Sequence, residues 1–357
     1  MNWNKSIVGP ALSLGFFLFT TLGVVADPQA LEDLEVNIMT GGATGTYIQI
    51  GKDIAALAEQ AGREGVIVVE SAGSMENIAA VKSRPRTQFG IVQSDVLDFI
   101  RTFRAEDAEM RSILRNTRIV FPLYKEEVHI VTTTRTGINT IADLNGRVVG
   151  VGAPNSGTNL TATFLFEIEN IRPRNSVGIS AGEALEQLRA GSIEAFVYVA
   201  GVPTRLLSET SPNDDLKLVT VPGTRVGDYY GITTIRAGTY PWQTEDVMTA
   251  AVRAVLMTYE FDPARNAYFK ASCDAVSEIT YLINQNMDAL RQNGHPKWNQ
   301  VDLQAFPSGW EQSQCVLTGL SSEYQPPFRG GGINLAVSTD CNAIENAVAK
   351  RLCLMRQ

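Results

Sequence analysis

From Leu34 onward, apolar and β-branched runs of strand length alternate with stretches whose apolar residues recur at helical spacing. "LEVNIM" (34–39) reads as a strand. After a glycine-rich loop, Tyr47, Ile50, Ile54, Leu57 and Ala61 recur at intervals that lay one helix face on a sheet. "GVIVVE" and "QFGIVQ" are the next strands, followed by helices through Ile78 and Val81 and through Val96, Leu97 and Ile100. Such alternation predicts an α/β protein with largely parallel sheets.

The rhythm breaks around "RIVFPLYKEEVHIVTTT", where two strand-like runs follow each other with only Pro122 to Glu127 between them. A helix would be expected there, so the chain is read as crossing from one lobe to another. A second αβ series follows: "RVVGVG" and a helix from Ser156 to Glu169, "SVGIS" and "GEALEQLRAG", then "EAFVYVAG", "PTRLLSE" and "LKLVTV". Gly231, Gly238 and Pro241 punctuate "YYGITTIRAGTYPWQTEDV", the second expected crossing. "VMTAAVRAVLMTYE" reads as the return strand, and "AVSEITYLINQNMDALRQNG" as a helix stopped at Gly294. Beyond Trp298 the periodicity fades. The expected division is a signal at 1–26, a discontinuous first lobe at 27–122 and 236–295, a second lobe at 123–235 and a C-terminal extension at 296–357.

Composition agrees with two lobes, since 357 residues with 44% hydrophobic content are enough for two cores. The opening "MNWNKSIVGPALSLGFFLFTTLGVVA" has one charge, Lys5, an apolar run from Leu12 to Leu22 and small residues before Asp27. It reads as a secretory signal cleaved after Ala26 rather than a membrane span. Loss of Lys5 moves the formal net charge from −8 to −9. An acidic chain without a basic run lacks the footprint of a nucleic-acid binder. The four cysteines, Cys273, Cys315, Cys341 and Cys353, all lie in the last quarter, and export makes disulfides the expected state. The favoured pairs are Cys273 with Cys315 and Cys341 with Cys353. The second pair meets a difficulty, because twelve residues of unbroken helix would part its ends by about 18 Å, beyond disulfide reach. Either that helix is interrupted or the partners differ.

In an open parallel sheet, ligands settle beyond the carboxyl ends of strands, where helices begin. Five such junctions share one chemistry: "TGGATGTY", "ESAGSMEN", "VQSD", "GAPNSGTN" and "YVAGVPT". All are rich in glycine, hydroxyl and amide residues and nearly free of cations. Helix starts carry unpaired N–H groups and about half a positive charge, so together they can hold a small anion without lysine or arginine. Singly, each is equally an ordinary helix cap. The first loop is not a Walker A motif, since five residues separate Gly45 from Gly51 and Lys52 is followed by Asp53. Nor does it have the spacing of a dinucleotide fingerprint.

"GGATGTYIQIGKDIA", "ESAGSMENI", "FGIVQSDV", "VGVGAPNSGTNLTA", "FVYVAGVPT" and "AGTYPWQTEDV", in that order over roughly Leu34 to His295, resemble the TAXI family of TRAP-transporter solute-binding proteins. The resemblance implies a two-lobed periplasmic binding protein with two interlobe crossings, which closes on a small carboxylate (amino acid, dicarboxylate or 2-oxo acid) and presents it to TRAP membrane permease subunits. It implies a periplasmic location, a monomer and no cofactor. The family's binding loops fall on Thr44, Thr46 and Tyr47, on Ser74 and Asn77, on Gln93, Ser94 and Asp95, on Asn155, Ser156, Thr158 and Asn159, and on Ala200, Gly201 and Pro203. Two positions depart from the commoner pattern, Ala43 and Asn155, where glycine is frequent; both bear on ligand choice. A periplasmic sensor signalling to a membrane kinase could use the same clamp, and the sequence does not separate the two.

The residues argue against catalysis. The histidines, His129 and His295, stand alone in separate segments, no G-x-S-x-G elbow occurs, and no cysteine has a base nearby. The same scarcity leaves no transition-metal ligand cluster. Asp95 reads equally as a helix-start residue or a partner for a ligand amine, Tyr198 as core, Glu70 as a solvent-facing strand end and Arg205 as a helix-face cation.

Overall fold

The computed structural model describes residues 34–103, 108–306 and 309–327. The expected signal and the pairing of Cys341 with Cys353 lie outside them. The first αβ series gives β1 (Val36–Met39), α1 (Thr46–Gln60), β2 (Val66–Val69), α2 (Ser74–Ser83), β3 (Thr87–Gln93), α3 (Ser94–Phe103) and α4 (Ala108–Arg115). The helical repeat seen in the sequence is the buried face of α1: Tyr47, Ile50, Ile54, Leu57 and Ala61 are all inside. Strand β4 then runs unbroken from Thr117 to Thr132. Beyond it lie β5 (Val148–Gly150), α5 (Gly157–Ile168), β6 (Asn175–Val177), α6 (Ala181–Arg189), β7 (Ala195–Ala200), α7 (Arg205–Ser208), β8 (Lys217–Leu218), α8 (Gly223–Val226) and β9 (Gly231–Ile235). The chain returns along β10 (Val247–Tyr259) and ends in α9 (Ala267–Gln285), α10 (Met287–Asn293), a 3-10 turn (Pro296–Gln300) and α11 (Gln314–Leu320).

All ten strands join one mixed sheet, with β2-β1-β3-β10-β4-β7-β5-β6 as its main path. Its two ends are parallel, as the alternating pattern predicts: β1 lies parallel to β2 and β3, and β5 parallel to β6 and β7. The middle is antiparallel, because β4 and β10 pair from Ala251 opposite Glu127 to Tyr259 opposite Thr117. Sixteen residues of strand extend about 53 Å, enough for one element to serve both lobes.

The hydrophobic cores separate along these two strands. Phe121, Leu123 and Tyr124 of β4 and Ala254 and Leu256 of β10 pack with α1 and α9 in the first lobe, while Ile119, Val255 and Met257 face α2 and α3 on the other side of the sheet. Val128 and Ile130, with Ala250 and Val252, pack into the second lobe against α5. The fold is therefore α/β and two-lobed, and the lobes are joined at Lys125 to Glu127 and at Arg253. This moves the second crossing. Tyr240, Trp242 and Val247 pack with the second lobe, and β9 is hairpinned onto β10 there, so the return occurs inside β10 rather than before it.

Two further readings change. The long helix expected to stop at Gly294 is broken at Asn286, which ends α9 and precedes α10. The extension expected from 296 begins as part of the first lobe: Trp298, Val301, Cys315 and Val316 are buried in its core. Cys273 on α9 and Cys315 on α11 form the expected disulfide. Among the described residues no helix is long and apolar enough to cross a membrane.

Candidate functional site

Three of the long helices start at the interlobe face. Gly45 precedes α1 and Gly73 precedes α2, and neither provides a side-chain cap. The first-turn N–H groups of a helix have no partner within it, so these two starts hold donors for another molecule or for water. Gly73 has φ +119°, a conformation that favours glycine. Ser156 precedes α5 and its Oγ accepts from the Asn159 amide at 3.1 Å, which still leaves the amides of Gly157 and Thr158 at the front of that helix.

These starts meet at a small cavity of about 90 Å³ lined by Gly41, Gly42, Gly45, Thr46, Tyr47, Ala72, Gly73, Ser74, Gln93, Glu126, Ser156, Gly157, Thr158, Tyr198, Val199 and Ala200. The lobes are shut on it. The Thr46 hydroxyl donates across to the Gly201 carbonyl at 3.1 Å, and a Cβ built on Gly157 would stand 1.4 Å from Gln93 Oε1. One turn into α5, Thr161 Oγ1 donates to Asp95 Oδ2 at 2.8 Å, and the Tyr230 hydroxyl reaches the same oxygen at 3.3 Å.

The site residues read from the sequence divide into four groups. Thr46, Tyr47, Ser74, Gln93, Ser156, Thr158 and Ala200 line the cavity. Asn77, Asn159, Gly201 and Pro203 stand behind its wall. Asn77 Nδ2 donates to the carbonyls of Thr40 at 2.6 Å and Ile91 at 2.7 Å, which fixes the ends of β1 and β3. Asn159 donates weakly to Val151, and Gly201 precedes the cis Val202–Pro203 bond of which Pro203 is part. Thr44 and Asn155 lie outside the lining; Asn155 is exposed in a left-handed conformation, φ +65°. Ser94 and Asp95 open instead onto a second interlobe cavity of about 700 Å³, walled by Phe99 and Phe164 and floored by Lys125 and Arg253 at the crossing strands. The two cavities share no lining residue.

Glu126 is the carboxyl group in the small cavity's lining, and the sequence reading missed it. It sits 2% exposed on β4, and its Oε2 accepts from the Tyr47 hydroxyl at 2.7 Å. Burial pushes its carboxyl up to about 8, against the Tyr47 hydrogen bond and the charge of Lys297. Tyr198, read as core, also faces the cavity, with its phenol pushed up to about 12 by burial. Gln93 is 2% exposed, and its Nε2 has no hydrogen-bond partner. A buried donor left unmatched costs about 1–3 kcal/mol, so an acceptor in the cavity would relieve it.

Behind the cavity the crossing strands are pinned. Lys297, 1% exposed, donates to both Glu127 oxygens at 2.9 and 2.8 Å, to the Lys125 carbonyl at 2.7 Å and to Gln300 at 3.1 Å. Glu127 in turn accepts from the Val202 amide of the second lobe at 2.9 Å. His129 is fully buried, between the Tyr240 hydroxyl at 2.7 Å and the Tyr198 carbonyl at 3.1 Å, and burial lowers its pKa to about 4. Glu70 is exposed, and Arg205 is engaged with Glu209 on the surface, as read.

A family model described as NMT1-like family matches residues 38–309, most of the chain. The chain belongs to the NMT1-like family. This NMT1-like chain is also similar to solved structures: the GluR0 ligand-binding core from Nostoc punctiforme in complex with (L)-glutamate (17% identity, 74% of this chain and 98% of that one, TM-score 0.43). Another is a protein from Bordetella bronchiseptica RB50 (16% identity, 91% and 98%, TM-score 0.47). A third is a TctC solute binding protein from Polaromonas (16% identity, 70% and 87%, TM-score 0.39).

Proposed function

We propose that this chain is an extracytoplasmic, periplasmic solute receptor that binds a small carboxylate by closure of its two lobes and delivers it to a TRAP-type membrane permease. One observation carries the binding part: three helix starts from two lobes converge on a shut cavity whose lining holds no cation. Backbone amides are then the groups available to an anion, and exclusion of water raises the worth of each hydrogen bond they make. Thr46, Tyr47, Ser74 and Gln93 of the first lobe would receive the ligand, and Ser156, Gly157 and Thr158 would complete its shell on closing. A closed form offers a permease a surface that the open form lacks. Delivery rests on the resemblance to TRAP-associated receptors, and the mechanism calls for no cofactor and no catalytic group.

Freshly purified protein examined by native mass spectrometry is expected to contain a co-purified small acid. Ser156→Ala and Gln93→Ala are each expected to weaken its calorimetric affinity by about 5- to 10-fold, the worth of one hydrogen bond, with the empty protein still folded and Ser156→Ala losing about 0.5–2 kcal/mol of stability with its helix cap. Unchanged affinity in both variants would count against the site. Uptake measured in membranes with and without the permease subunits tests delivery, and uptake that ignores this receptor contradicts it.

A further inference from the structure

Resting on the receptor reading above, we propose that the ligand is a short-chain amino acid, of alanine's size rather than glutamate's, with its ammonium group on Glu126 and its carboxylate on the starts of α1, α2 and α5. Three observations lead there. The closed cavity holds about 90 Å³, well under the few hundred Å³ typical of pockets for larger organic ligands. Its lining carries one acid, Glu126, and no lysine or arginine, so the second carboxylate of a dicarboxylate would have no counter-charge. The unmatched Gln93 amide calls for an acceptor, while Glu126, once ionised, calls for a cation. A compact zwitterion meets both demands within one small volume.

The groups facing Glu126 define how this site responds to pH. They are Tyr47 from α1, Asp95 from α3, Tyr124 and Glu127 from β4 itself, Tyr198 from β7 and Lys297 from the 3-10 turn. Val252, opposite Glu126 on β10, carries no charge. Lys297 is already held by both Glu127 oxygens, which leaves Glu126 without a close cation of its own. In the closed, ligand-free form burial keeps Glu126 protonated up to about 8. An ammonium ligand needs the carboxylate, so binding must release that proton below this value, and affinity rises by about tenfold per pH unit until it levels off near 8. A 2-oxo acid or dicarboxylate has the opposite sign: its anion is held best while Glu126 is neutral, and its affinity falls as the carboxylate forms.

The experiment is titration calorimetry of the full chain lacking its signal, with L-alanine, glycine, pyruvate and L-glutamate at about pH 6, 7 and 8. The expected result is binding of L-alanine or glycine that strengthens about tenfold per unit. Glu126→Gln is expected to weaken L-alanine by about 30-fold or more and to flatten that pH dependence, with an unaltered thermal melt confirming the fold. Pyruvate binding as tightly as L-alanine, or affinity that falls with rising pH, overturns the ammonium role while leaving a carboxylate receptor standing. L-Glutamate binding as tightly as L-alanine overturns the size limit. If none of the four binds, the proposal fails; the receptor reading fails with it only if, in addition, no small acid co-purifies.

Discussion

Gly157→Val is expected to reduce ligand affinity by at least about 100-fold while the protein stays folded. The reason is steric and confined to the closed state. A Cβ at 157 would lie 1.4 Å from Gln93 Oε1, 2.5 Å from Gln93 Cδ and 2.8 Å from Ser74 Oγ, so the start of α5 could not seat against β3 and α2. Gln93 could clear the seam only by swinging into the cavity it lines, which would fill the ligand's place. In an open form the same position faces solvent, and a side chain at the first helical residue is tolerated there to within about 1 kcal/mol. Calorimetry with whatever ligand the native protein carries gives the affinity, and a melt without ligand gives the stability. Truncating the obstacle in Gly157→Val with Gln93→Ala is expected to restore part of the binding. Full affinity in the single variant would mean that the lobes do not close at this seam.

Lys297→Met is expected to destabilise the protein by about 3–5 kcal/mol, because it leaves Glu127 charged, buried and without its cation. Lys297 and Glu127 are both nearly dry, and their bond is doubled. Surface pairs such as Arg205 with Glu209 are worth about 0–1 kcal/mol and give the contrast. Adding Glu127→Gln to Lys297→Met is expected to recover much of the loss, since a neutral amide no longer needs a cation. Denaturant melts of the four proteins in that cycle give a coupling of about 2 kcal/mol or more. Coupling near zero would show that Lys297 acts through other contacts, such as its ammonium 5.8 Å from the Tyr124 ring centre, rather than through Glu127. The position has a functional edge, because Glu127 also holds the Val202 amide and so fastens both lobes to the crossing strand.

Much of the architecture was legible in the periodicity. The burial of Tyr47, Ile50, Ile54, Leu57 and Ala61 follows from a 3.6-residue repeat, and β1, β2 and β3 follow from short apolar runs before polar, glycine-rich junctions. The crossing at Pro122 to Glu127 was visible as a missing helix, although it proved to lie within one strand. The second crossing was misplaced because Gly231, Gly238 and Pro241 mark turns, and turn residues do not say which lobe a turn belongs to. Trp298 was lost for a related reason: a 3-10 turn and a seven-residue helix are too short to show a period, and burial there is set by packing of the turn on β4 and α10 and of the helix on α9.

For the candidate site, the junction loops were legible because helix starts with glycine, serine and threonine have a recognisable composition. Thr44 and Asn155 sit in those loops yet outside the lining, since composition gives the loop and backbone conformation gives the direction. Glu126 was hidden in "KEEVH", which reads as charged residues at a crossing. An acid within an otherwise apolar run of crossing strand was a signal available for finding it. Lys297 left none, because its partner Glu127 is 170 residues away and the pair exists only once the chain has folded.

In the proposed mechanism, backbone amides at α1, α2 and α5 capture a small carboxylate between closing lobes. Backbone amide resonances of isotope-labelled protein, followed during titration with L-alanine and separately with pyruvate, report on those groups one by one. The largest changes are expected on Thr46, Tyr47, Ser74, Gly157 and Thr158, in both lobes and with the same midpoint. Changes confined to one lobe, or centred on Phe99, Tyr229 and Ile232 around the larger cavity, would contradict it.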